Sequence, residues 1–456
     1  MLDWYYFLFF GAGLLIYCLE IVVSHRSVAD YFSPTVQYGI GKGTVLIWAV
    51  FFSGGIFEMA FFSSVAFGLG ISITYWIAFY ILAYLLLSKC IPLAIKQAES
   101  ENIRGLPDIY SSKFAGKGRN LSFIILLLVN LDGLIIQPTI ALWLFRTLFD
   151  TNGLLFISLL VSFCVIISGL GGIGGISRAV KILMIVTGAA LVFLPIYLYV
   201  IKGIEHVYQL YSNWSFIHVV DLQDGFVFTI ILINLVCLKI STSLFIWRVL
   251  LSLKRPHFSS AIKLAVAGSA SFSISLLVYF VYISSQYFDS DWLPILRSFT
   301  ENQGDLLLSV AVFIWFITAA HSIIFSIYSI NSLAVAVVEQ FSRKLATTKK
   351  VYLFSMIAGA MSVAFANTLM GHSLQIIFIY LLFSASMSIP SMALLLRKGI
   401  LPSWIPIVML STPTGTVAFY CFYDSFALSL YIGLISSIFL GLVIYYFDFS
   451  EKDKMI

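Results

Sequence analysis

Apolar residues run along this chain in stretches of roughly 20, long enough to cross a bilayer as helix, and short polar segments part them. The runs lack the alternation of a half-buried strand and the single apolar stripe of a surface helix. They predict thirteen helices, at 4–24, 42–70, 73–95, 120–147, 153–172, 179–201, 225–247, 260–284, 305–337, 351–370, 373–396, 402–422 and 426–447. The expected fold is all-α and integral to a membrane, one polytopic domain over residues 1–456. Residues 4–24 exceed the apolar region of a signal peptide and no small-residue cleavage site follows, so they read as a permanent first span.

Composition agrees with that pattern. Of 456 residues, 61% are hydrophobic and 10% charged, whereas soluble proteins carry about 25% charged residues. Water cannot be the only solvent. Aromatic residues reach 16%, and Tyr and Trp suit the membrane interface because the ring system is apolar at one end and polar at the other. The net charge of +5 is modest and its basic residues form short clusters between apolar runs, which excludes a nucleic-acid surface. The five cysteines (Cys18, Cys90, Cys164, Cys237, Cys421) lie within apolar stretches, with no CxxC or Cys/His cluster. Neither a metal centre nor a disulfide framework is expected.

Loop charge orients the chain. Loops after odd-numbered spans carry Arg26; Lys96, Arg104, Lys113, Lys117 and Arg119; Arg178; Arg248, Lys254 and Arg255; Arg343, Lys344, Lys349 and Lys350; and Arg397 and Lys398. Loops after even-numbered spans add only Lys202 and Arg297, with Glu205, Asp221, Asp224, Asp289, Asp291 and Glu301. The N-terminus is therefore expected outside, and the C-terminus, with Lys452 and Lys454, in the cytoplasm.

Polar residues inside the spans mark where chemistry can occur. Glu58 in span 2 and Asp132 in span 4, ahead of Gln137 and Pro138, are carboxylates in apolar surroundings. Lys239 in span 7 and His321 in span 9 are the buried bases. Such groups read as functional, though mutual structural ion pairs satisfy the same need. Ser53-Gly54-Gly55 weakens the middle of span 2. Unwinding there would expose carbonyls to a cation; close helix packing is the other reading. Ser322, Ser326 and Ser329 share one face of span 9, as cation ligands or as interhelical hydrogen-bonding groups. Span 7 holds neither Gly nor Pro over 226–247, which predicts an unbroken helix. Gly171-Gly172 and Gly174-Gly175 lack the preceding strand and following Lys-Ser/Thr of a phosphate loop. With no nucleophile elbow and no HExxH, an enzyme is not expected.

Five patterns, in order, resemble the sodium:solute symporter family: Ser27-Val28-Ala29-Asp30-Tyr31-Phe32; Gly105-Leu106-Pro107-Asp108-Ile109-Tyr110 with Lys113-Phe114-Ala115-Gly116; Gly169-Leu170-Gly171-Gly172-Ile173 with Arg178; Trp247-Arg248-Val249-Leu250 through Ala261; and Ala319-Ala320-His321-Ser322 with Ser326-Ile327-Tyr328-Ser329. The resemblance covers about residues 1–370. It implies a leucine-transporter-like bundle of two inverted five-helix repeats, 42–201 and 225–396, with span 1 and spans 402–447 peripheral. It also implies sodium bound by span 2 carbonyls and adjacent span 9 hydroxyls. Here Ser322 is followed by Ile323 instead of a second hydroxyl, which brings a proton, with His321, Glu58 or Asp132 as carriers, into competition with sodium.

The expectation is a symporter that couples sodium or protons to a small polar organic solute by alternating access, in a bacterial inner membrane and without a further cofactor. Glu58, Asp132, Gln137 and Lys239 would contact the solute; Ser53, Gly54, Ser322 and Ser326 would contact the cation. The alternative is a transporter-like sensor or passive channel without sodium coupling.

Overall fold

A computed structural model describes residues 10–17, 27–34, 36–100, 105–149, 151–217, 222–287, 306–342 and 347–446. Most of the predicted first span lies outside these, as do Cys18, Arg26, Arg104, Asp221, Asp289, Asp291, Arg297, Glu301, Arg343, Lys344, Lys452 and Lys454. The described residues form helices and two isolated β-bridges.

In order, the helices are α1 (residues 10–17), α2 (Val28–Phe32), α3 (Ile40–Phe51), α4 (Ile56–Leu85), α5 (Ile91–Ser100), α6 (Leu106–Ser112), α7 (Gly118–Val129), α8 (Asp132–Phe149), α9 (Leu154–Cys164) and α10 (Gly172–Lys202). They continue with α11 (Ile204–Ile217), α12 (Leu222–Thr242), α13 (Leu244–Leu251), α14 (Phe258–Tyr287), α15 (Leu306–Ser342), α16 (Thr348–Leu369), α17 (Ser373–Leu396), α18 (Ile405–Tyr423) and α19 (Phe426–Tyr446). Among the described residues, nine helical stretches are long and apolar enough to cross a membrane.

The predicted second span is two helices. After Phe51 the backbone unwinds through residues 52–55, and Gly55 takes φ +73°, open to glycine at no steric cost. The Gly54 N–H turns sideways to the Thr318 carbonyl of α15, 3.2 Å away. Helix α4 then runs past the expected boundary at residue 70 and bends at Gly68, where φ is +67°.

Span 7 differs from the sequence expectation, for it is broken. Helix α12 ends at Thr242 and α13 starts at Leu244, with Ser243 extended between them and its hydroxyl accepting from the Ile246 N–H. Such a break orphans carbonyls that the next turn would have met. Side chains from elsewhere supply the donors: Trp247 Nε1 to the Ile240 carbonyl (2.9 Å), Tyr110 OH to Ser241 (3.2 Å) and Asn130 Nδ2 to Thr242 (3.0 Å). Neither Gly nor Pro is needed where tertiary donors replace the lost backbone bonds.

Helix α15 is enclosed along most of its length and packs against α8, α10 and α16; α14 packs on α3 and α4, and α17 on α12 and α19. At the end bearing the basic loops, α2 ties several helices together. Tyr31 OH donates to the Ser168 carbonyl (2.6 Å) and accepts from Asn331 Nδ2 (2.8 Å). Arg248 Nε and Tyr328 OH both donate to the Phe32 carbonyl, at 2.6 and 3.1 Å. The glycines at 171–175 serve packing: a Cβ on Gly172 would stand 2.7 Å from the Tyr31 carbonyl oxygen.

Candidate functional site

The two helix interruptions face one cavity of about 140 Å³, roughly ten times the space one water requires. Asn130 and Leu131 part α7 from α8, and Asp132 opens α8 at the cavity wall. Glu58, in the first turn of α4, Gln137 of α8 and Lys239, one turn before the end of α12, also line it. So do Ser53, Gly54, Ser322 and Ser326. Eight residues singled out in the sequence thus meet at one place.

His321 does not join them. It is fully buried, stacks on Phe325 with the ring planes 4° apart, and lines no part of the cavity. Neither ring nitrogen has a hydrogen-bond partner among the described residues. Successive residues on a helix point about 100° apart, so the face presenting Ser322, Ser326 and Ser329 turns His321 and Ile323 away.

Within the cavity, Lys239 Nζ donates to Ser53 Oγ at 3.0 Å and interacts electrostatically with Asp132 and Glu58. Asp132 accepts from Ser326 Oγ and Tyr380 OH, each at 3.4 Å. Trp315 Nε1 donates to Glu58 Oε1 at 2.9 Å, while the ring stacks on Phe57. Glu58 Oε2 and Gln137 Oε1 are buried without a hydrogen-bond partner among the described residues. A charged or polar atom left that way is costly unless something else meets it.

Packing around these groups is tight. A Cβ on Gly54 would lie 2.3 Å from Ser322 Oγ and 2.5 Å from Gln137 Cδ; one on Gly133 would lie 2.3 Å from the Ser322 carbonyl oxygen. Only glycine lets the unwound segment, α8 and α15 approach so closely. Sequence reasoning missed Asn130, Trp315 and Tyr380, since a Trp or Tyr in an apolar run reads as packing and Asn130 sits at an unforeseen helix end.

Solved structures share the fold. A Na+-coupled sialic acid symporter, in a substrate-bound outward-open state, is similar over 98% of both chains, with 14% identity and a TM-score of 0.71. The fold is leucine-transporter-like. A manganese transporter of Eremococcus coleocola matches 92% of this chain and 97% of its own at 14% identity, TM-score 0.54. The inward-facing form of Mhp1, a nucleobase-cation-symport-1 family transporter, matches 91% and 92% at 14% identity, TM-score 0.54. No family model matches the sequence, and no curated protein does. With its apolar helices, the leucine-transporter-like bundle makes this chain a multi-pass membrane protein.

Proposed function

We propose that the chain is a secondary active transporter coupling a cation, sodium or proton, to the movement of a small polar organic solute by alternating access. The observation that carries this reading is the convergence of two interrupted helices and three ionisable side chains on one buried cavity. Interrupted helices at the centre of a bundle are how such transporters bind solute and ion. The two breaks open the halves proposed as repeats, 42–201 and 225–396, with 402–447 peripheral. Solved structures named as a sialic acid symporter and a nucleobase-cation-symport-1 family transporter support the same reading.

Glu58, Asp132, Gln137 and Lys239 are assigned to the solute. For the cation, a hard ion needs oxygen ligands, and Ser322, Ser326 and Asp132 offer them where Gly133 packs on α15. Ser53 Oγ is engaged by the Lys239 ammonium. That contact, with Ile323 facing away, favours the second reading, a solute sensor or passive channel without sodium coupling. The proposed setting is a bacterial inner membrane, N-terminus outside and C-terminus cytoplasmic.

The test is uptake by proteoliposomes given a sugar, amino acid, monocarboxylate, urea and sialic acid panel under an imposed sodium or proton gradient. Accumulation above the outside concentration that collapses with one gradient supports symport and names the ion. Equilibration without accumulation indicates a channel, and binding without entry a sensor; either overturns the proposal.

A further inference from the structure

Among the described residues, the side chains of the cavity wall that can hold charge are Glu58, Asp132, Lys239 and Tyr380. With Tyr380 neutral and both carboxylates ionised, two carboxylates and one ammonium leave one negative charge over. The ammonium interacts with both carboxylates, but Asp132 accepts from two hydroxyls, whereas Glu58 Oε2 meets no donor among the described residues. The unanswered oxygen is therefore on Glu58. Trp315, the Gln137 amide and the backbone N–H groups of Gly55 and Glu58 help to hold that carboxylate, yet none of them brings positive charge.

Glu58 Oε2 and Gln137 Oε1 point to what is missing. Both oxygens are buried, both belong to cavity-lining residues, on α4 and α8, and neither meets a donor among the described residues. The Gln137 amide hydrogen-bonds with the Glu58 carboxylate, yet Oε2 is left without a partner among the described residues. Two neighbouring acceptors, one of them charged, call for a group with several N–H donors and a positive charge. A bare metal ion suits them poorly, because hard cations gather about six oxygens, and the wall here continues as Phe62, Ile140 and Ile377. These three, with Glu58, also bound a second pocket of about 30 Å³ leading toward Ser373 and Leu374. Phe62, Trp76 and Phe79 give the cavity aromatic surface, which suits an organic cation.

We infer that the solute carries a cationic nitrogen, an ammonium or guanidinium, which sits between Glu58 Oε2 and Gln137 Oε1 with its carbon skeleton against the aromatic wall. This rests on the transport reading for its physiological meaning, but its binding chemistry is tested separately. The full chain in detergent is assayed by thermal shift with matched pairs: methylguanidinium against methylurea, ethanolamine against ethylene glycol, and butylamine against butanol. Each pair is run in potassium and in sodium buffer.

A charged hydrogen-bonded contact should make the cation of at least one pair bind about tenfold or more tighter than its neutral partner. Glu58→Gln should erase that preference, so that cation and neutral partner bind within about twofold of each other. Gln137→Leu should weaken the cation several-fold, and serves as the second probe if Glu58→Gln does not fold. Equal binding of cation and neutral partner in the native chain overturns the inference, as does a shift produced by sodium alone and lost in Glu58→Gln. Uptake of the tightest-binding amine by proteoliposomes separates the two proposals. Binding without accumulation under either gradient sinks the transport reading and leaves the cation site standing. Accumulation confined to neutral solutes does the reverse.

Discussion

Lys239 Nζ donates to Ser53 Oγ at 3.0 Å, so a side chain from the end of one interrupted helix reaches the unwound segment of the other. The ammonium joins the two breaks and also offsets Asp132. Removing it should do more harm than removing the pair.

Lys239→Met is expected to lower stability by about 1–3 kcal/mol, because it removes the donor to Ser53 Oγ and leaves two carboxylates facing the cavity with no positive charge. Lys239→Met combined with Asp132→Asn should recover part of that loss. Thermal unfolding of both single variants and the double variant checks this; strictly additive losses would show that the two residues act independently.

Gly54 and Gly55 should fail for different reasons. Gly54→Ala forces a methyl onto Ser322 Oγ and Gln137, an overpacking cost of about 1–3 kcal/mol. Ser322→Gly removes the nearest obstacle and should partly restore it. At Gly55 a Cβ meets nothing within 4 Å, but the backbone is at φ +73°. Gly55→Ala should therefore cost about 1–3 kcal/mol through strain, and Ser322→Gly should not help. Melting temperatures of the four variants decide between contact and conformation.

Asn130 holds the Thr242 carbonyl at the second break while also bonding the Leu126 carbonyl. Asn130→Leu keeps the bulk and removes both donors, with an expected loss of about 1–3 kcal/mol. Asn130→Asp, which brings no N–H donor and adds charge, should be no better. Unfolding measurements on both variants test this; a neutral Asn130→Leu would mean that the break does not depend on this cap.

Arg248 fastens α2 over the basic-loop end through the Phe32 carbonyl and Ser33. Losing such charge-assisted bonds is worth about 1.5–3 kcal/mol. Arg248→Ala should accordingly raise the population open at that end by about tenfold or more. A cysteine placed at Ser329, on the cavity wall, should then react correspondingly faster with an impermeant maleimide supplied from that side. An unchanged rate would remove Arg248 from the closure.

How much of this was legible in the sequence follows from where each cause lies. The spans were legible because a long apolar run is a local fact, and so was the first break, since adjacent glycines weaken a helix whatever surrounds them. Glu58, Asp132 and Lys239 were conspicuous because charge in such a run needs a partner. The second break was not legible. Its causes are Tyr110, Asn130 and Trp247, two of them more than 100 residues away. The segment 203–224 read as a loop, yet holds α11, whose Val207 is buried and whose Tyr211 OH donates to the Val278 carbonyl at 2.8 Å. His321 was placed by its neighbour in sequence, when its neighbours in space follow from the turn of the helix.

The two interruptions differ in permanence. A positive φ at Gly55 keeps the first open whatever its neighbours do. Ser243 sits at φ −71°, ψ 109°, which most residues can adopt or leave, and its hydroxyl cap is worth only about 1 kcal/mol. Only the donors from α6, α7 and Trp247 keep α12 and α13 apart, so a shift of those helices would let the chain rewind through Ser243. Helicity at this one residue thus becomes a gauge of where its neighbours stand. Amide exchange in a locked and an unlocked form would read it directly: protection changing at residues 244–246 and constant at 56–59 is the expected pattern, and equal change at both would refute it.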